Sequence, residues 1–247
     1  MPRPTDPNQH RDDIYGDLKA EPAENPAIPA ATVVLVRDTD GGPEVLMLKK
    51  SSKIAFGGMW VFPGGRVDDE DYPADRDLET AARTAASREA QEEAGVRARP
   101  DDFVWFAHWT PPASTPRRYA TWFFAAHAQA VGTVEVDGGE ILEHTWISPA
   151  GALERHRARE IDLAPPTWVT LYHLSNYSPS AAVLEHFRER ESRVYETRPA
   201  KRHDGVRVAM WRGDAGYDGW DADAKGDRHR LLMAAEGFEF EHAEGDY

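Results

Sequence analysis

The chain has 247 residues, which is enough to bury a substantial core as one elaborated domain. It contains no cysteine, so disulfide bonds, thiolate metal sites and cysteine nucleophiles are excluded, and a reducing cytoplasm is the expected location. The formal net charge of −14 argues against DNA or RNA as a partner, because nucleic-acid binding requires a basic surface.

The N-terminal residues 1–29 are rich in proline and contain no long apolar run. This composition predicts a flexible arm, and neither a signal peptide nor a membrane span, so no membrane partner is expected. We expect a single folded domain over residues 30–247, with a core at about 30–160 and a C-terminal extension at 161–247.

The first predicted elements are two β-strands and a glycine loop. Residues 31–36 and 45–48 are apolar runs on either side of an Asp40-Gly41-Gly42 turn. Residues 60–62 then lead into Pro63-Gly64-Gly65, a tight backbone feature that needs residues without a Cβ atom.

A helix that carries three carboxylates on one side is predicted next. Successive helical residues turn by about 100°, so Glu89, Glu92 and Glu93 share one side. Buried unpaired carboxylates are costly, and hard oxygen ligands suit Mg²⁺ or Mn²⁺. A solvated acidic helix with arginine partners is the alternative, which the three glutamates alone support equally well. Towards the N-terminus the same side becomes an apolar stripe of Leu78, Ala82, Ala85 and Ala86.

Two further groups are candidates for the site. Arg117 and Arg118 precede a predicted strand at 119–126 and could bind an anionic group, or form an ordinary surface pair. Glu140 follows Gly138-Gly139 and is placed to enter the mouth of a site, although a solvated loop acid is at least as common.

The C-terminal part is predicted to contain helices and strands. Residues 166–190 indicate two helices broken near Ser178-Pro179, and residues 206–211, 229–233 and 238–241 indicate strands. The ten histidines include no H-x-H or H-E-x-x-H motif, so the sequence predicts no histidine metal site.

The run from Gly65 to Val96 resembles the signature of the Nudix hydrolases, G-x5-E-x7-R-E-U-x-E-E-x-G-U, where U is a bulky aliphatic residue. Gly65 matches the first glycine, and Ala90 replaces the larger aliphatic residue. The second half of the signature is matched by Arg88, Glu89, Glu92, Glu93, Gly95 and Val96.

The spacing departs from the signature at one point. Arg88 follows Gly65 by 23 residues, whereas the signature has 14, and residues 68–76 form a polar insert of nine. The first glutamate of the signature therefore has no clean equivalent. Asp71 has the spacing from the glycine and Glu79 is one residue off from the helix side, so we assign neither a ligand role.

Other segments resemble a narrower branch, similar to the peroxisomal coenzyme A diphosphatases. Two departures are Ala120, where that branch has an acid, and Ile54, where the coenzyme A motif of other Nudix enzymes has arginine. The matching segments are residues 48–52 and 55–58, Trp109-Thr110-Pro111, residues 117–124 and residues 163–167.

The resemblance implies an α+β fold, a Nudix-type α/β/α sandwich with a mixed sheet, here with a helical and β extension. It implies a metal-dependent hydrolase of nucleoside diphosphates linked to another moiety, with coenzyme A or its thioesters among the candidates. The alternative is a non-catalytic sensor on the same fold, and a homodimer is left open.

The resemblance also implies roles for individual residues. Glu89, Glu92 and Glu93 would bind Mg²⁺ or Mn²⁺, Arg88 would orient them, and Glu92 or Glu140 would be the general base. The substrate-binding residues would be Gly64, Gly65, Arg117 and Arg118.

Overall fold

A computed structural model describes residues 9–15, 18, 25–53, 56–115, 117–128, 134–136 and 138–243. Ile54 lies outside the described residues. The strands are β1 (Ile28–Thr39), β2 (Gly42–Lys50), β3 (Trp60–Val61), β4 (Gly64–Arg66), β5 (Val104–Thr110), β6 (Tyr119–His127), β7 (Ile141–Ile147), β8 (Arg193–Glu196), β9 (Arg198–Lys201), β10 (Arg207–Met210), β11 (His229–Ala234) and β12 (Gly237–His242). The helices are α1 (Leu78–Ala94), α2 (Pro149–Arg157), α3 (Pro165–Leu174) and α4 (Ser180–Arg188).

The first sheet is mixed and has eight strands. Its main order is β3-β2-β1-β6-β5-β8, with β4 paired to β1 and β7 paired to β2. The β1–β6 and β5–β8 pairs are parallel and the others are antiparallel. Because β3 and β4 run consecutively, the chain passes from a pairing with β2 to one with β1, and this brings the glycine loop to the sheet.

Helix α1 covers one face of this sheet at close range. Asp77 caps its N-terminus by accepting the Thr80 N–H at 2.8 Å, and Gly95 ends it in the left-handed region at φ 67°. The side of the helix facing the sheet consists of small residues, which allows close approach. These buried alanines are Ala82, Ala85, Ala86, Ala90 and Ala94. Leu78, predicted to belong to the stripe, is instead 38% exposed.

The opposite face carries the C-terminal extension. Helices α2, α3 and α4 contribute Ala152, Trp168 and Leu184 to a core with the first sheet. A second, antiparallel sheet of order β12-β11-β10-β9 adds Leu231 to the same core, and Trp211, directly after β10, belongs to it too. The predicted α/β/α sandwich with a mixed sheet and a helical and β extension is confirmed.

The described part of the predicted N-terminal arm packs against this core. Tyr15 is 1% exposed, and the His10 N–H donates to the Met233 carbonyl of β11 at 3.3 Å. Asp13 forms a buried ion pair with Arg207 of β10. Over residues 9–15, therefore, the chain is docked on its own body, which differs from the expectation of a flexible arm.

The structure contains two short strands, β8 and β9, for which the sequence patterns made no prediction. They are rich in aromatic or charged residues, so their apolar alternation is weak. The two predicted helices within 166–190 are confirmed as α3 and α4. The predicted C-terminal strands are confirmed as β10, β11 and β12. No helix in the described ranges is both long and apolar enough to cross a bilayer.

Candidate active site

Strand β4 and helix α1 meet through two glycines and two glutamates. A Cβ atom on Gly65 would lie 2.2 Å from Glu89 Oε1, so only glycine allows the Glu89 carboxylate to rest against this strand. The N–H of Gly64 donates to Glu93 Oε2 at 3.0 Å. The glycine loop and the acidic helix, predicted from separate parts of the sequence, therefore form one site.

Glu93 is the deeply buried carboxylate of this site. It is 5% exposed, and its pKa is raised to about 7 mainly because burial removes its hydration. Lys50, at the end of β2, lies 3.2 Å from Glu93 Oε1 and offsets part of this cost, as does the Gly64 N–H. Burial, partly offset by Arg88, also raises the pKa of Glu89.

Arg88 connects the helix to the insert. Its Nε and Nη2 donate to the two oxygens of Asp71 at 3.1 and 2.9 Å, a bidentate pair. Its Nη1 donates to Glu89 Oε1 at 2.9 Å and to Glu92 Oε2 at 3.2 Å. Because Arg88 contacts Asp71, Glu89 and Glu92 together, it fixes the two glutamates relative to the strand.

The three helix glutamates differ in environment. The Glu92 side chain is 59% exposed, whereas that of Glu89 is 16% exposed and that of Glu93 only 6%. Glu89 and Glu92 are paired with Arg88, and Glu93 is paired with Lys50. The prediction of one shared side is therefore correct for the helix geometry, but Glu92 lies at the rim of the site.

Asp71 and Glu79, neither of which is a clean match to the first glutamate of the signature, have different partners in the structure. Asp71 is 5% exposed, accepts the Asp68 N–H at 2.9 Å and pairs with Arg88. Glu79 pairs with Arg83 one turn along α1, at 2.7 Å, and does not reach this network in any contact of the described residues. Of the two acids, Asp71 contacts Arg88 and Glu79 contacts Arg83 in the described residues.

The remaining candidates lie further from the helix. The Arg118 guanidinium donates to the carbonyls of Pro111 at 2.7 Å and Asn25 at 3.3 Å, so it holds two loop segments together. Arg117 beside it is exposed. Glu140 precedes β7, and its carbonyl accepts the N–H of Ser51, the residue after Lys50, at 2.7 Å. Glu140 is exposed at the edge of the sheet from which Lys50 reaches Glu93.

Sequence reasoning missed Lys50 and left Asp71 unassigned. A signal for Asp71 was present in its spacing from Gly65. No local pattern marks Lys50, because its role depends on the pairing of β2 with its neighbours.

The donor set suits a hard divalent cation. All its side-chain ligands would be carboxylate oxygens, and Glu93 remains under-compensated by Lys50 and one N–H group, as its raised pKa reflects. Gly65 has no Cβ atom and so leaves space for the Glu89 carboxylate at the strand, which is a second feature that fits a metal site.

Comparisons with known proteins identify the family. A family model described as the NUDIX domain matches residues 27–166. The Caenorhabditis elegans protein "Putative nudix hydrolase 7" is 26% identical over 182 residues, which are 59% of this chain and 60% of that protein. The chain thus spans less than two thirds of that relative.

One solved structure supports the fold, and a second is reported for comparison. A NUDIX hydrolase from Alicyclobacillus acidocaldarius has a TM-score of 0.59 and 22% identity, covering 66% of this chain and 97% of its own. A MutT protein from Methanosarcina mazei Go1 has a TM-score of 0.45 and 22% identity, over 62% of this chain and 96% of its own. With the family model matching more than half of its length, the chain belongs to the NUDIX domain family.

Proposed function

We propose that the protein is a metal-dependent hydrolase that cleaves the pyrophosphate of a nucleoside diphosphate linked to another moiety and releases a nucleoside monophosphate-type product. The observation that carries this proposal is the contact of Glu89 and Glu93 with the glycine loop, in a chain that belongs to the NUDIX domain family.

The metal would be held by Glu89, Glu92 and Glu93. Mg²⁺ or Mn²⁺ bound there would polarise a phosphoryl oxygen and lower the pKa of a water molecule. Arg88, anchored by Asp71, holds Glu89 and Glu92 through ion pairs. Lys50 contributes a positive charge beside Glu93 that favours an anionic substrate, in a protein whose net charge of −14 otherwise repels one.

The general base is proposed among two exposed glutamates. Glu92 at the rim of the helix and Glu140 at the start of β7 are both accessible enough to accept a proton from an attacking water. Of the two arginine candidates we propose Arg117 for phosphate binding, since it is exposed and two N–H groups of Arg118 already donate to Pro111 and Asn25.

Coenzyme A and its thioesters are proposed as substrates on the resemblance of segments such as Trp109-Thr110-Pro111. Other linked nucleoside diphosphates belong to the same test. Cytoplasm is the proposed location, and a small-molecule diphosphate is the proposed partner.

The decisive experiment combines a substrate panel with matched variants. The purified protein is incubated with coenzyme A, acyl-coenzyme A, ADP-ribose and dinucleotides, with Mg²⁺, Mn²⁺ or a chelator, and the products are identified by mass spectrometry. Glu93→Gln should fold normally. Its activity should fall by more than the ~10–100-fold loss that is typical when a residue that only positions a metal ligand is replaced.

Two controls locate the effect. Glu79→Gln, on the same helix but paired with Arg83, should retain activity. The control for Glu140→Gln is Glu143→Gln, because Glu143 lies on β7 and pairs with Lys49 of β2. Wild-type turnover by Glu93→Gln would overturn the metal assignment. Tight ligand binding with no product under any condition would support the sensor alternative instead.

A further inference from the structure

Three buried side chains from distant parts of the chain meet on the face of the first sheet that is opposite α1. His10 and Asp12 lie in the N-terminal segment, and His156 lies in the last turn of α2. One potential ligand atom from each lies within 4.8 Å of the others. The three residues are 4%, 2% and 3% exposed.

We propose that His10, Asp12 and His156 form a second metal site, selective for a transition-metal dication of the Zn²⁺ class and separate from the carboxylate site of α1. Three features support this second site: the docking of the N-terminal segment, the chemistry of the three ligands and the separation of the two sites.

The backbone holds this cluster in place. His10 N–H donates to the Met233 carbonyl at 3.3 Å, and Leu163 N–H donates to Asp12 Oδ2 at 3.0 Å. The neighbouring Asp13 is paired with Arg207. A segment without regular secondary structure is thus fastened to β10, β11 and the residues after α2, with the imidazole and carboxylate groups directed inwards.

The ligand types select the metal. Two imidazole nitrogens and one carboxylate oxygen suit Zn²⁺, Co²⁺ or Ni²⁺, whereas Mg²⁺ prefers oxygen ligands alone. Tetrahedral coordination with bonds of about 2.0–2.1 Å requires ligand atoms roughly 3.3 Å apart. His156 Nε2 and Asp12 Oδ2 are 2.9 Å apart, and one potential ligand atom from each of the three residues lies within 4.8 Å of the others, so the side chains must draw together around the ion for it to bind.

The hydrogen bonds at the cluster are compatible with metal binding. His10 Nδ1 accepts the Asp12 N–H at 3.1 Å, so this nitrogen carries a lone pair. His156 Nε2 and an Asp12 carboxylate oxygen share a hydrogen bond, so both face the point at which a metal would bind. A metal would displace that hydrogen bond, and His156 would coordinate through Nε2 with its ring proton on Nδ1.

The two sites lie on different faces of the first sheet. Ala152 of α2 and Leu163 belong to the core on the face of the extension, whereas the alanines of α1 belong to the core on the other face. A metal at the histidine cluster would cross-link residues separated by 144 positions in sequence, and would thereby stabilise the docked N-terminal segment.

The test uses the full chain without a histidine tag, stripped of metal with a chelator and kept in excess Mg²⁺. Added Co²⁺ should bind with one equivalent beyond the Mg²⁺-occupied carboxylate site and give the intense visible absorption of tetrahedral Co²⁺. Zn²⁺ should displace Co²⁺ and raise the melting temperature.

The variants assign the signal. His10→Ala and His156→Ala should each lose the absorption, whereas Glu93→Gln should keep it. His203→Ala is the matched control, because His203 forms an exposed pair with Asp223 at 2.7 Å, and within the described ranges no third potential ligand completes a cluster there.

Several outcomes overturn the proposal. Absence of tetrahedral absorption in the wild type would mean that the cluster is a hydrogen-bonded anchor only. Absorption that survives both histidine substitutions, or that disappears in Glu93→Gln, would place the metal elsewhere. If His10→Ala or His156→Ala fails to fold, imidazole ¹⁵N shifts of the wild type with and without Zn²⁺ decide the matter: unchanged shifts for His10 and His156 reject the site.

Discussion

In the carboxylate site of α1, single residues are linked by ion pairs. Arg88 donates to Asp71, Glu89 and Glu92, and the deeply buried member of that set is Asp71, at 5% exposure. A buried carboxylate is stable in its charged form only when its hydrogen bonds are satisfied. Asp71 and Arg88 satisfy one another, so loss of either leaves the other partly uncompensated.

Asp71→Asn tests this link at the scale of one residue. The amide keeps one acceptor but removes the charge, so we expect activity to fall by about 10–100-fold, and stability by about 1.5–3 kcal/mol. Initial rates on the substrate identified in the panel and urea denaturation measure the two effects. Glu79→Gln should change stability by no more than about 0.5 kcal/mol and leave the rate intact, because its pair with Arg83 is half exposed. Equal effects of the two substitutions would contradict the role of Asp71.

At the scale of elements, the distance between β4 and α1 is set by the glycine loop. Gly64 lies against β1, where a Cβ atom would be 2.5 Å from the Ala31 carbonyl oxygen. Gly65 lies against the helix, where a Cβ atom would meet the carboxylate of Glu89. The first contact is with rigid backbone and the second is with the end of a flexible side chain, so the two glycines have different consequences.

Gly65→Ala should displace the Glu89 carboxylate and reduce turnover, while the melting temperature changes little. Gly64→Ala should destabilise the fold, since strand β1 cannot move away. Gly41→Ala is the control, because its nearest neighbour would be Thr39 Oγ1 at 3.6 Å, an ordinary contact. Thermal unfolding and initial rates of the three variants separate these effects. A Gly65→Ala variant with full activity would show that Glu89 need not rest on the strand.

At the scale of the whole molecule, the two sheets share one core. Trp109 of β5 and Tyr195 of β8 stack at 3.8 Å, and Trp211, after β10, contacts both edge-on. Trp211 is fully buried, and its Nε1 donates to Thr197 Oγ1 at 3.0 Å. We therefore expect the first sheet and the extension to unfold together.

Trp211→Ala should reduce the free energy of unfolding by about 3–5 kcal/mol, the usual cost of removing a large aromatic side chain from a core. Urea denaturation followed by far-UV circular dichroism and by intrinsic fluorescence should give coincident transitions. Trp220→Ala, at a side chain that is 53% exposed, should cost far less. Two separate transitions in the wild type would show that the extension is an independent unit.

The sequence by itself determined the glycine loop and the acidic helix, because these depend on local spacing. Glu89, Glu92 and Glu93 share a helix side whatever the rest of the chain does, and Gly65 marks a close approach. The apolar runs of β1 and β2 likewise identify buried strands without tertiary information.

Only the tertiary structure decided which of these groups are buried and what they pair with. Lys50 reaches Glu93 through the arrangement of strands, and Asp71 reaches Arg88 because the insert folds back over 17 positions. His10 and His156 have no shared local motif, so they were rejected as metal ligands from spacing alone. Their meeting depends on the docking of residues 9–15, since contacts between positions so far apart arise from packing and not from any periodicity of the chain.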